Sequence, residues 1–542
     1  MNNAAYILER PANEPARDYR PGSEEVRSLL DEVERQRDTP VEIPLIIGGR
    51  EIRTGDTGDV VMPHDHAHKL GVFHKAGEKE VRMAIEAALD ARGVWAAMPW
   101  EDRAAVALKA AELVSVRYRD SINAAAILCQ SKNIWQAEID SACEIADFLR
   151  FNCYNASQIF SVFEPVQLRN TFNIIEFRPL EGFVYAVTPF NFTAIACNLN
   201  MAPVILGNVT VWKPATASIL SSWRLMEIYK EAGLPEGVIN FLPGSGSLIS
   251  KVVLGHKYFA GLHFTGSNET FNELWRQIAD NLPKYRSYPR IVGETGGKDF
   301  IFAHGSADPD ELSTAIVLGA FEYQGQKCSA SSRSYIPKSL WPVVRKKILE
   351  RVSKIRMGDP ADPKNLMGAV IDEKSFDFIA KHLEDAKKSP DVEILTGGGH
   401  DKSKGYFIEP TVLVCRDPKY ATMETELFGP VMSIYVYEDD KYEETLKICD
   451  DTSAYGLTGS IFSRDRKAAV KARELLTYAA GNFYINDKTT GAVVGQQPFG
   501  GSRASGTNDK VGSAFNLVRW LSPRSIKDNY TPPKDIDFPH MG

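Results

Sequence analysis

The fold is decided by a series of short β-rich runs with helical segments between them: FVYAV (183–187), VTVWK (209–213), GVINFLPG (237–244), GLHFTG (261–266) and RIVGE (290–294). Strands that alternate with helices at this spacing indicate βαβ units, which build a parallel sheet. A second series follows between about 296 and 485 and includes KDFIFAH, SSRSYIP, EPTVLVC, SIYVYE and TGSIF. The sequence therefore predicts an α/β fold with two α/β domains.

The segments outside these two series differ in character. Residues 1–40 are polar and contain proline, and they predict an N-terminal arm with a helix near 24–37 that Ser23 caps. Between about 77 and 160, Ala-rich segments place apolar residues three or four apart, as long amphipathic helices require. VQLRNTFNIIEFRPLEG (166–182) resembles a projecting hairpin, and VRWLSPRSIKD (518–528) is suited to pair with a strand elsewhere. We expect such arms to make oligomer contacts.

Size and charge exclude several classes of protein. The 542 residues are too many for one ordinary core, and the formal charge of -7 argues against a nucleic-acid or anionic-membrane surface. The apolar runs fall short of the roughly 20 residues that span a bilayer, and the first residues lack signal-peptide or transit-peptide character. We expect no nucleic acid and no membrane among the partners. The expected location is cytoplasmic, or the mitochondrial matrix if the chain is the mature form of a eukaryotic protein.

Cys328 differs from the other cysteines in its neighbourhood. The seven cysteines are scattered and form no C-x-x-C pair, which argues against disulfides and structural zinc. In FEYQGQKCSASSR (321–333) the thiol follows a polar, flexible turn, as a reachable nucleophile requires. A lone cysteine is, however, more often a buried thiol. The context must decide between these two interpretations.

Two further polar residues stand where strands end. Glu294 follows a strand in IVGETGGKD (291–299), where a carboxylate could act as a base, although a salt-bridged glutamate is the plainer interpretation. Asn191 lies on the turn between a strand and a helix in TPFNFTAIACNL (188–199). Its amide could donate to a developing oxyanion, or it could simply form an Asx turn or a helix cap.

Four motifs are suited to a nucleotide or a small ligand. VTVWKPAT places Lys213 at the carboxyl end of a strand, the edge where open α/β sheets bind nucleotides. In LHFTGSNETF, Gly266 and Ser267 stand before a helix, whose N-terminus suits a pyrophosphate. TELFGPVMSIYV and the glycine-rich TTGAVVGQQPFGGSRASG (489–506) could line a ligand, or they could be an ordinary turn and a plain surface loop. No G-x-G-x-x-G is present, and each motif alone is a weak signal.

Together, these motifs resemble the aldehyde dehydrogenase superfamily. PFNF, WKPA, FTGS, GETGGK, GQKCS, ELFGP and PFGGSRASG occur in the family's order, from roughly residue 45 to 525. Longer segments, such as RPLEGFVYAVTPFNFTAIACNL and YPRIVGETGGKDF, are most similar to the long-form 1-pyrroline-5-carboxylate dehydrogenase (glutamate-γ-semialdehyde dehydrogenase) family. The proline-oxidising module that is fused to some members is absent from this sequence.

The resemblance implies the aldehyde dehydrogenase fold: a Rossmann-like NAD-binding domain, an α/β catalytic domain and a small β oligomerisation arm. It also implies a homodimer or an assembly of dimers, and it leaves open a partnership with a proline dehydrogenase that supplies the substrate. The expected units are an N-terminal arm (1–40), the NAD-binding domain (41–161 and 180–294), the oligomerisation arm (162–179 and 515–535), the catalytic domain (295–485), and a substrate anchor loop with a return segment (486–514).

The implied chemistry is NAD-dependent oxidation of L-glutamate γ-semialdehyde, derived from 1-pyrroline-5-carboxylate, to L-glutamate in proline catabolism. Cys328 would attack the aldehyde, Asn191 and the Cys328 N–H would hold the oxyanion, and Glu294 would activate the water that hydrolyses the thioester. The alternatives are an aldehyde dehydrogenase for another semialdehyde and a non-catalytic protein of this fold.

The resemblance also assigns residues to the two ligands. NAD is the expected cofactor, and Thr216 leaves NADP open because many NAD-preferring members carry a glutamate there. The residues implied for the cofactor are Thr188, Pro189, Phe190, Lys213, Thr216, Gly266, Ser267, Asn268, Glu269, Thr270, Glu426 and Phe428. Those implied for the aldehyde substrate are Phe192, Ser329, Gly491, Ala492 and Phe499.

Two departures and one rejected site complete the prediction. Phe271 stands where the common superfamily pattern has glycine, and Ala492 stands where some relatives have serine. His64, His66 and His68 in PHDHAH would share one face of a strand, which invites a metal interpretation. The implied chemistry needs no metal, and we expect none.

Overall fold

The computed structural model describes residues 8–162 and 165–542. The first seven residues of the predicted N-terminal arm, and residues 163 and 164 of the predicted oligomerisation arm, lie outside the described residues. Within the described ranges the core is built on two seven-stranded sheets and the helices that cover them. No helix in these ranges is both long enough and apolar enough to cross a membrane.

The first sheet contains the five runs that predicted a parallel βαβ series. These five strands are mutually parallel, and an antiparallel hairpin extends the sheet at one edge. Most of their side chains are buried, as expected of a parallel sheet covered by helices on both faces. In spatial order the strands are Arg290–Glu294, Phe259–Thr265, Phe183–Val187, Thr210–Lys213, Ile239–Phe241, Leu45–Ile47 and Arg50–Ile52. The predicted series is confirmed.

The helices of the N-terminal half include those that the Ala-rich pattern predicts. Helix Glu24–Asp38 begins as expected at Ser23, whose hydroxyl accepts the Val26 N–H. A π-helical turn, Glu138–Cys143, precedes helix Glu144–Val162. The other helices of this half are Glu78–Ala97, Trp100–Ser115, Arg119–Gln130, Ile134–Ala137, Thr193–Ile205, Ile219–Ala232, Gly246–Leu254 and Asn268–Asn281.

The second sheet contains the second predicted series. Its neighbours are parallel except for the edge strand Val392–Thr396, which is antiparallel. In spatial order its strands are Val392–Thr396, Thr411–Cys415, Val431–Tyr437, Ser331–Pro337, Asp299–Ala303, Thr458–Phe462 and Asn482–Ile485. The helices of this half are Pro309–Phe321, Trp341–Val352, Glu373–Lys388, Ala421–Glu424, Tyr442–Asp451, Arg466–Leu475 and Ala514–Leu517.

Smaller elements join these layers. A three-stranded sheet consists of Val41–Ile43, Asp65–His74 and Thr57–Met62, and two short pairs consist of His400–Asp401 with Phe407–Ile408 and Tyr455–Gly456 with Ser502–Arg503. The 3₁₀ turns are Thr216–Ser218, Leu282–Lys284, Glu322–Gly325, Asp439–Lys441, Val518–Trp520 and Pro539–Met541.

The projecting arm differs from the prediction in its pairing. Strand Thr171–Pro179 pairs antiparallel with Leu521–Asn529 along its whole length, so the local hairpin expected within 166–182 is wrong. The expectation that 518–528 pairs with a distant strand is confirmed. A strand cannot satisfy its backbone hydrogen bonds alone, and the chain supplies the partner from the C-terminal end instead of from the adjacent residues.

Residues 8–20, here called the strap, have no helix or strand and lie against the helices of the N-terminal half. Their centre of attachment is Glu138, which is fully buried and pairs with the Arg119 guanidinium. Glu138 also accepts the Arg17 N–H at 2.8 Å and the Tyr19 hydroxyl at 2.9 Å. Burial alone would raise the pKa of Glu138, but its hydrogen bonds, that with Arg119 foremost, hold it below the ordinary value. Glu138 is therefore a buried, ionised attachment point.

We predict that Glu138→Ala destabilises the chain by about 3–5 kcal/mol, because it leaves the buried Arg119 without its main counter-ion. Urea unfolding at pH 7 measures the loss. Because the folded-state pKa is depressed, this contribution is present above the unfolded-state pKa and is lost as the pH falls through the folded-state value. The control is Lys338→Ala, which removes an exposed ion pair with Glu438 and should change stability little. Equal losses in the two variants would contradict the prediction.

Candidate active site

Cys328 lies just beyond a turn of unusual backbone conformation. The turn Glu322–Gly325 ends helix Pro309–Phe321, and strand Ser331–Pro337 begins three residues after the cysteine. Tyr323 and Gln324 have φ values of 50° and 54°, in the left-handed region that residues other than glycine seldom adopt. Cys328 is partly exposed, whereas the other six cysteines are buried. The thiol is thus presented by a strained turn, a feature that recurs at functional sites.

Contacts with other parts of the chain hold this turn in place. Gln324 Nε2 donates to the carbonyls of Ser131, at 2.9 Å, and Ala369, at 3.0 Å. Gln326 Oε1 accepts the Ile371 N–H at 2.8 Å. The Lys132 ammonium lies 3.8 Å from the centre of the Tyr323 ring, within the range of a cation–π contact. These contacts offset the strain of the turn and fix where the thiol stands.

Asn191 is brought to the same turn by the first sheet. It lies between strand Phe183–Val187 and helix Thr193–Ile205, is buried, and donates from Nδ2 to the Gln326 carbonyl at 3.1 Å. A side-chain amide carries two N–H donors, so the second is available to a ligand at the thiol. This arrangement can stabilise negative charge on an oxygen bonded to the carbon that Cys328 attacks.

Three buried carboxyl groups stand close enough to Cys328 to affect its ionisation. Although part of the Cys328 residue is exposed, the protein around its thiol excludes enough water to raise the pKa of the thiol well above its ordinary value, and the neighbouring carboxylates, Asp299 foremost, raise it further. Burial also raises the pKa of Glu294 well above its ordinary value and that of Glu426 to about 7. The thiol and the Glu294 carboxyl are therefore protonated at neutral pH, whereas Glu426 is about half protonated, and the thiol needs a proton acceptor before it can attack.

Glu294 ends strand Arg290–Glu294 and turns toward the segment 500–510. Its Oε2 accepts the Gly501 N–H at 3.2 Å, while Oε1 is buried without a hydrogen-bond partner among the described residues. A buried carboxyl oxygen without a partner is costly unless it serves a ligand or a water. The position suits a general base that acts on water beside Cys328.

Residues predicted for the cofactor lie at the carboxyl edge of the first sheet. Lys213 ends strand Thr210–Lys213, and burial lowers its pKa to about 8. A Cβ added at Gly246 would lie 3.7 Å from Lys213 Cε, so the glycine leaves space beside the lysine. Thr188 Oγ1 accepts the Trp212 indole N–H at 3.0 Å. Such an edge, with small residues and one cation, fits a dinucleotide.

The next helix presents its N-terminus at this edge. Ser267 caps helix Asn268–Asn281 by accepting the Thr270 N–H at 3.3 Å, and Glu269 and Thr270 are exposed on its first turn. Asn268 Nδ2 donates to the Ala504 carbonyl at 2.8 Å, which ties the helix to the glycine-rich segment. Free N–H groups at the start of a 14-residue helix suit a pyrophosphate.

The remaining residues predicted for the cofactor come from both halves of the chain. Glu426 Oε1 accepts the Gly297 N–H at 2.9 Å, and Phe428 meets Phe190 edge-on with ring centres 5.8 Å apart. Pro189 precedes Phe190 on the same turn, and Thr216 is exposed in the turn Thr216–Ser218 beyond Lys213. Phe271 is buried and stacks on Phe264, and a Cβ at Gly293 would meet its ring at 2.2 Å.

The residues predicted for the aldehyde lie on three segments: the turn after strand Phe183–Val187, the position after Cys328, and residues 491–499. The Lys132 ammonium stands 4.4 Å from the centre of the Phe192 ring. Ser329 is buried, and its carbonyl accepts the Thr489 hydroxyl at 2.6 Å. Gly491 and Ala492 are half-buried in a segment without regular structure, residues 488–498, here called the anchor loop. Phe499 follows it and exchanges backbone hydrogen bonds with Val511, at 3.0 and 2.7 Å.

Comparison with known proteins shows which family has this arrangement. The family model described as the aldehyde dehydrogenase family matches residues 52–525. The chain belongs to the aldehyde dehydrogenase family. It is 51% identical over 533 residues to a Dictyostelium discoideum protein named delta-1-pyrroline-5-carboxylate dehydrogenase, mitochondrial, which covers 98% of this chain and 96% of that relative. A human protein of the same name is 46% identical over 531 residues, covering 98% of this chain and 94% of the relative.

A solved structure agrees with the fold of this aldehyde dehydrogenase along its whole length. The crystal structure of the delta-pyrroline-5-carboxylate dehydrogenase from Mycobacterium tuberculosis, bound with NAD, superposes with a TM-score of 0.96 at 47% identity. The match covers 100% of both chains. The predicted superfamily and fold class are therefore confirmed.

A buried charge cluster beside the substrate side was not predicted from the sequence. The Lys132 ammonium contacts Asp140 Oδ2 at 2.5 Å, and Lys327, which precedes the nucleophile, lies 3.4 Å from the same oxygen. Burial lowers the pKa of Lys132 to about 8 and raises that of Glu144 to about 8. Asp140 lies on the π-helical turn, where no polar pattern in the sequence marks it. Lys327 also lies 3.8 Å from the buried Glu322, so the cluster is a network of paired buried charges next to Cys328 in the chain.

The three histidines that raised a metal interpretation take separate roles. His64 contacts the Ser131 hydroxyl through Nδ1, and the other two donate from Nε2 to main-chain carbonyls: His66 to that of Lys402 and His68 to that of Arg37. Across residues 8–162 and 165–542, no group of three or more His, Cys, Asp or Glu residues could hold a metal ion.

We predict that Gly325→Ala lowers aldehyde-dependent NAD reduction by about a hundredfold in kcat/KM, the penalty of misplacing a reacting group by about 1 Å. Gly325 has a φ of 68°, and a Cβ there would lie 2.3 Å from the Gly429 carbonyl oxygen, so the turn must move. Steady-state kinetics measures the change.

The matched control is Gly233→Ala. Gly233 has a φ of 89° after helix Ile219–Ala232, but a Cβ there would meet nothing within 4 Å. This variant carries the same backbone cost, roughly 1 kcal/mol, without displacing the thiol. Normal turnover in Gly325→Ala would show that the turn does not fix the nucleophile.

Proposed function

We propose that this chain oxidises L-glutamate γ-semialdehyde, the open form of 1-pyrroline-5-carboxylate, to L-glutamate with NAD, as a step of proline catabolism. The observation that carries the proposal is the meeting of the Cys328 thiol, the Asn191 amide and the Glu294 carboxyl at one turn between the two sheets. The substrate class is supported by relatives that are 46–51% identical over nearly the whole chain and bear that enzyme's name.

In the first step, the Cys328 thiolate attacks the aldehyde carbon and forms a thiohemiacetal. The thiol proton must leave first, and a neighbouring carboxyl group that has already released its own proton, or a water that it holds, would accept it. The new oxyanion lies between the free N–H of the Asn191 amide and the Cys328 backbone N–H. Removing such a donor typically costs about 3–4 kcal/mol of transition-state stabilisation.

NAD, when bound, accepts the hydride that leaves the thiohemiacetal carbon. Lys213 and Glu426 are suited to its ribose hydroxyls, and Gly266 with Ser267 is suited to its pyrophosphate. Thr188, Pro189, Asn268, Glu269 and Thr270 complete that edge, and Phe190 and Phe428 form a wall beside the thiol. Thr216 carries no charge that would repel a 2′-phosphate, so we propose NAD as the main cofactor with NADP accepted more weakly.

Loss of hydride leaves a thioester on Cys328, which Glu294 resolves by accepting a proton from water. The water oxygen bonds to the acyl carbon, the carbon–sulfur bond breaks, and the acid leaves as Cys328 is regenerated. Burial keeps Glu294 protonated until water or ligand enters. Deprotonated Glu294 is the active form, so the hydrolysis rate should rise with pH toward the raised pKa of this group.

The substrate is oriented by groups on the far side of Cys328. Phe192 and Phe499 would enclose its aliphatic chain, and Ser329 with the N–H groups of Gly491 and Ala492 would bind the carboxylate. Because Ala492 has no hydroxyl, the backbone donors carry this contact. The N–H groups of this loop, which a plain aldehyde would leave unused, favour a substrate that carries a carboxylate.

The arm formed by Thr171–Pro179 and Leu521–Asn529 supports a homodimer. Its exposed apolar side chains include Val166 and Leu168 beside the arm and Phe172 and Ile174 on it. Apolar groups on a projecting two-stranded ribbon are suited to cover a second copy of the chain. We propose that the arm also makes the contacts in any assembly of dimers. We further propose that a proline dehydrogenase supplies the substrate. The proposed location is the cytoplasm or the mitochondrial matrix.

We predict that Glu294→Gln forms one equivalent of NADH rapidly and then turns over at least about a hundredfold more slowly, because acylation survives and hydrolysis does not. Cys328→Ala should abolish both the burst and the turnover. Stopped-flow absorbance at 340 nm separates the two phases. Normal steady-state turnover by Glu294→Gln would show that another group activates water.

The substrate proposal is tested by comparing kcat/KM for glutamate semialdehyde, succinic semialdehyde and pentanal, each with NAD and with NADP. We expect glutamate semialdehyde to exceed pentanal by at least about a hundredfold, since a site built for polar groups rejects an analogue that lacks them. Equal values for the three aldehydes would contradict the proposed substrate. If the correctly folded protein forms no NADH with any of these aldehydes, the proposed dehydrogenase activity is contradicted.

A further inference from the structure

The anchor loop is tied at its first end to the nucleophile turn. Thr489 Oγ1 donates to the Ser329 carbonyl at 2.6 Å, and the Lys488 ammonium contacts Glu322 Oε2 at 2.7 Å. Glu322 begins the turn that presents Cys328, so this end of the loop is fixed relative to the thiol. Gly491 and Ala492 come directly after this attachment.

The other end of the loop is held by the strap. Asn13 Nδ2 donates to the Val494 carbonyl at 2.8 Å, and Asn13 Oδ1 accepts from Gln496 Nε2 at 2.9 Å. Arg10 adds a bond from its guanidinium to the Gly495 carbonyl at 3.0 Å. Asn13 therefore uses both its donor and its acceptor on the loop, although nearly five hundred residues separate them.

The strap is in turn fixed to a helix beside the substrate side. Asp147 on helix Glu144–Val162 is buried, and its two oxygens accept Asn13 Nδ2 and the Glu14 N–H, each at 2.7 Å. The Glu14 carboxylate pairs with Arg119 at 2.7 Å and with Arg150 at 2.6 Å. The position of Asn13 is thus set by charge-assisted bonds to a rigid element.

We propose that Asn13 is a positioning residue for substrate recognition: it joins Asp147 to the anchor loop and so fixes where the Gly491 and Ala492 N–H groups stand. The inference rests on the proposed function, in which those donors bind the carboxylate of the semialdehyde. The loop has turns but no helix or strand, and the bonds from the Gln496 and Gln497 N–H groups to the Val493 carbonyl build its second turn. The Gly491 and Ala492 donors therefore lie between the first attachment and a turn that the strap holds. Loosening the strap end lets them move while Cys328, Asn191 and Glu294 stay in place.

This arrangement has a consequence that separates it from a purely structural role. Displaced loop donors weaken the binding of substrates that carry an α-carboxylate and leave aldehydes without one unaffected. Cofactor binding takes place at the edge of the first sheet and is also unaffected. Asn13 therefore acts on the preference between substrates and on KM, while kcat and the KM for NAD stay within about twofold of the wild-type values.

The test compares Asn13→Ala and Asn13→Asp in the full chain. Each hydrogen bond lost is worth a few-fold to about tenfold, so Asn13→Ala should raise the KM for glutamate semialdehyde about fivefold. Asn13→Asp replaces the donor with an anionic oxygen that faces the Val494 carbonyl and the Asp147 carboxylate, and it should raise KM by more than tenfold. The KM for pentanal should stay unchanged in both variants.

The matched control is Arg17→Ala, which removes a strap contact to Asp120 at 3.2 Å and leaves the loop contacts intact. Gln496→Ala removes the partner of Asn13 from the loop side and should reproduce part of the Asn13→Ala effect, even if Asn13→Asp fails to fold. An unchanged ratio of kcat/KM for glutamate semialdehyde to that for pentanal in the Asn13 variants overturns the inference. An equal loss in Arg17→Ala overturns it as well.

The wild-type measurement separates the two levels of the argument. If the wild-type enzyme shows no preference for glutamate semialdehyde over pentanal, the proposed function fails, and the positioning role fails with it. If the preference is present in the wild type and survives in both Asn13 variants, the proposed function stands and the role of Asn13 fails.

Discussion

The left-handed turn before Cys328 is the constraint on which the site depends. The second half of the chain supplies the thiol, whereas Asn191 and Glu294 come from the carboxyl edge of the first sheet. The bonds that hold the turn also bridge the halves, because Gln324 donates both to Ser131 and to Ala369. The strain of the turn is therefore offset by contacts that join the two sheets. A thiol on an unstrained helix would not need contacts between the two sheets, but those contacts would then not fix its position relative to Asn191 and Glu294.

Charge is distributed unevenly around this turn. The carboxyl groups on the cofactor side, Glu294, Asp299 and Glu426, all have pKa values raised by burial, so few of them are ionised at once. Beside Phe192, Lys132 and Lys327 both contact Asp140, and Lys327 also lies 3.8 Å from Glu322, so buried carboxyl groups accompany both lysines. The thiol itself stays protonated and unreactive until a base accepts its proton.

The sequence predicts the parts of the molecule that local pattern controls. The strands of both sheets, the Ser23 cap and the motifs that carry Cys328, Glu294 and Asn191 can all be recognised because each depends on a few adjacent residues. The arm shows where this limit lies. Its two strands are recognisable separately, but the pairing of Thr171–Pro179 with Leu521–Asn529 is a long-range choice that periodicity does not contain. The Lys132–Asp140 pair, the strap contacts and the pKa values likewise depend on which side chains the fold brings together.

The strap illustrates why directional bonds, and not apolar packing, are found at such a place. A buried ion pair such as Arg119–Glu138 adds little net stability relative to apolar residues of the same volume, because desolvation cancels most of the attraction. It does, however, admit few alternative positions. In its proposed role, the loop must place backbone N–H groups to within about 0.5 Å of the positions that bind a ligand, and it needs a fixed position more than it needs free energy. Apolar contacts would stabilise the N-terminal segment equally well, but they would allow the loop to shift relative to it. The polar series from Glu138 through Glu14 and Asp147 to Asn13 fixes the strap to the helices and, in the proposed role of Asn13, sets where the anchor loop stands.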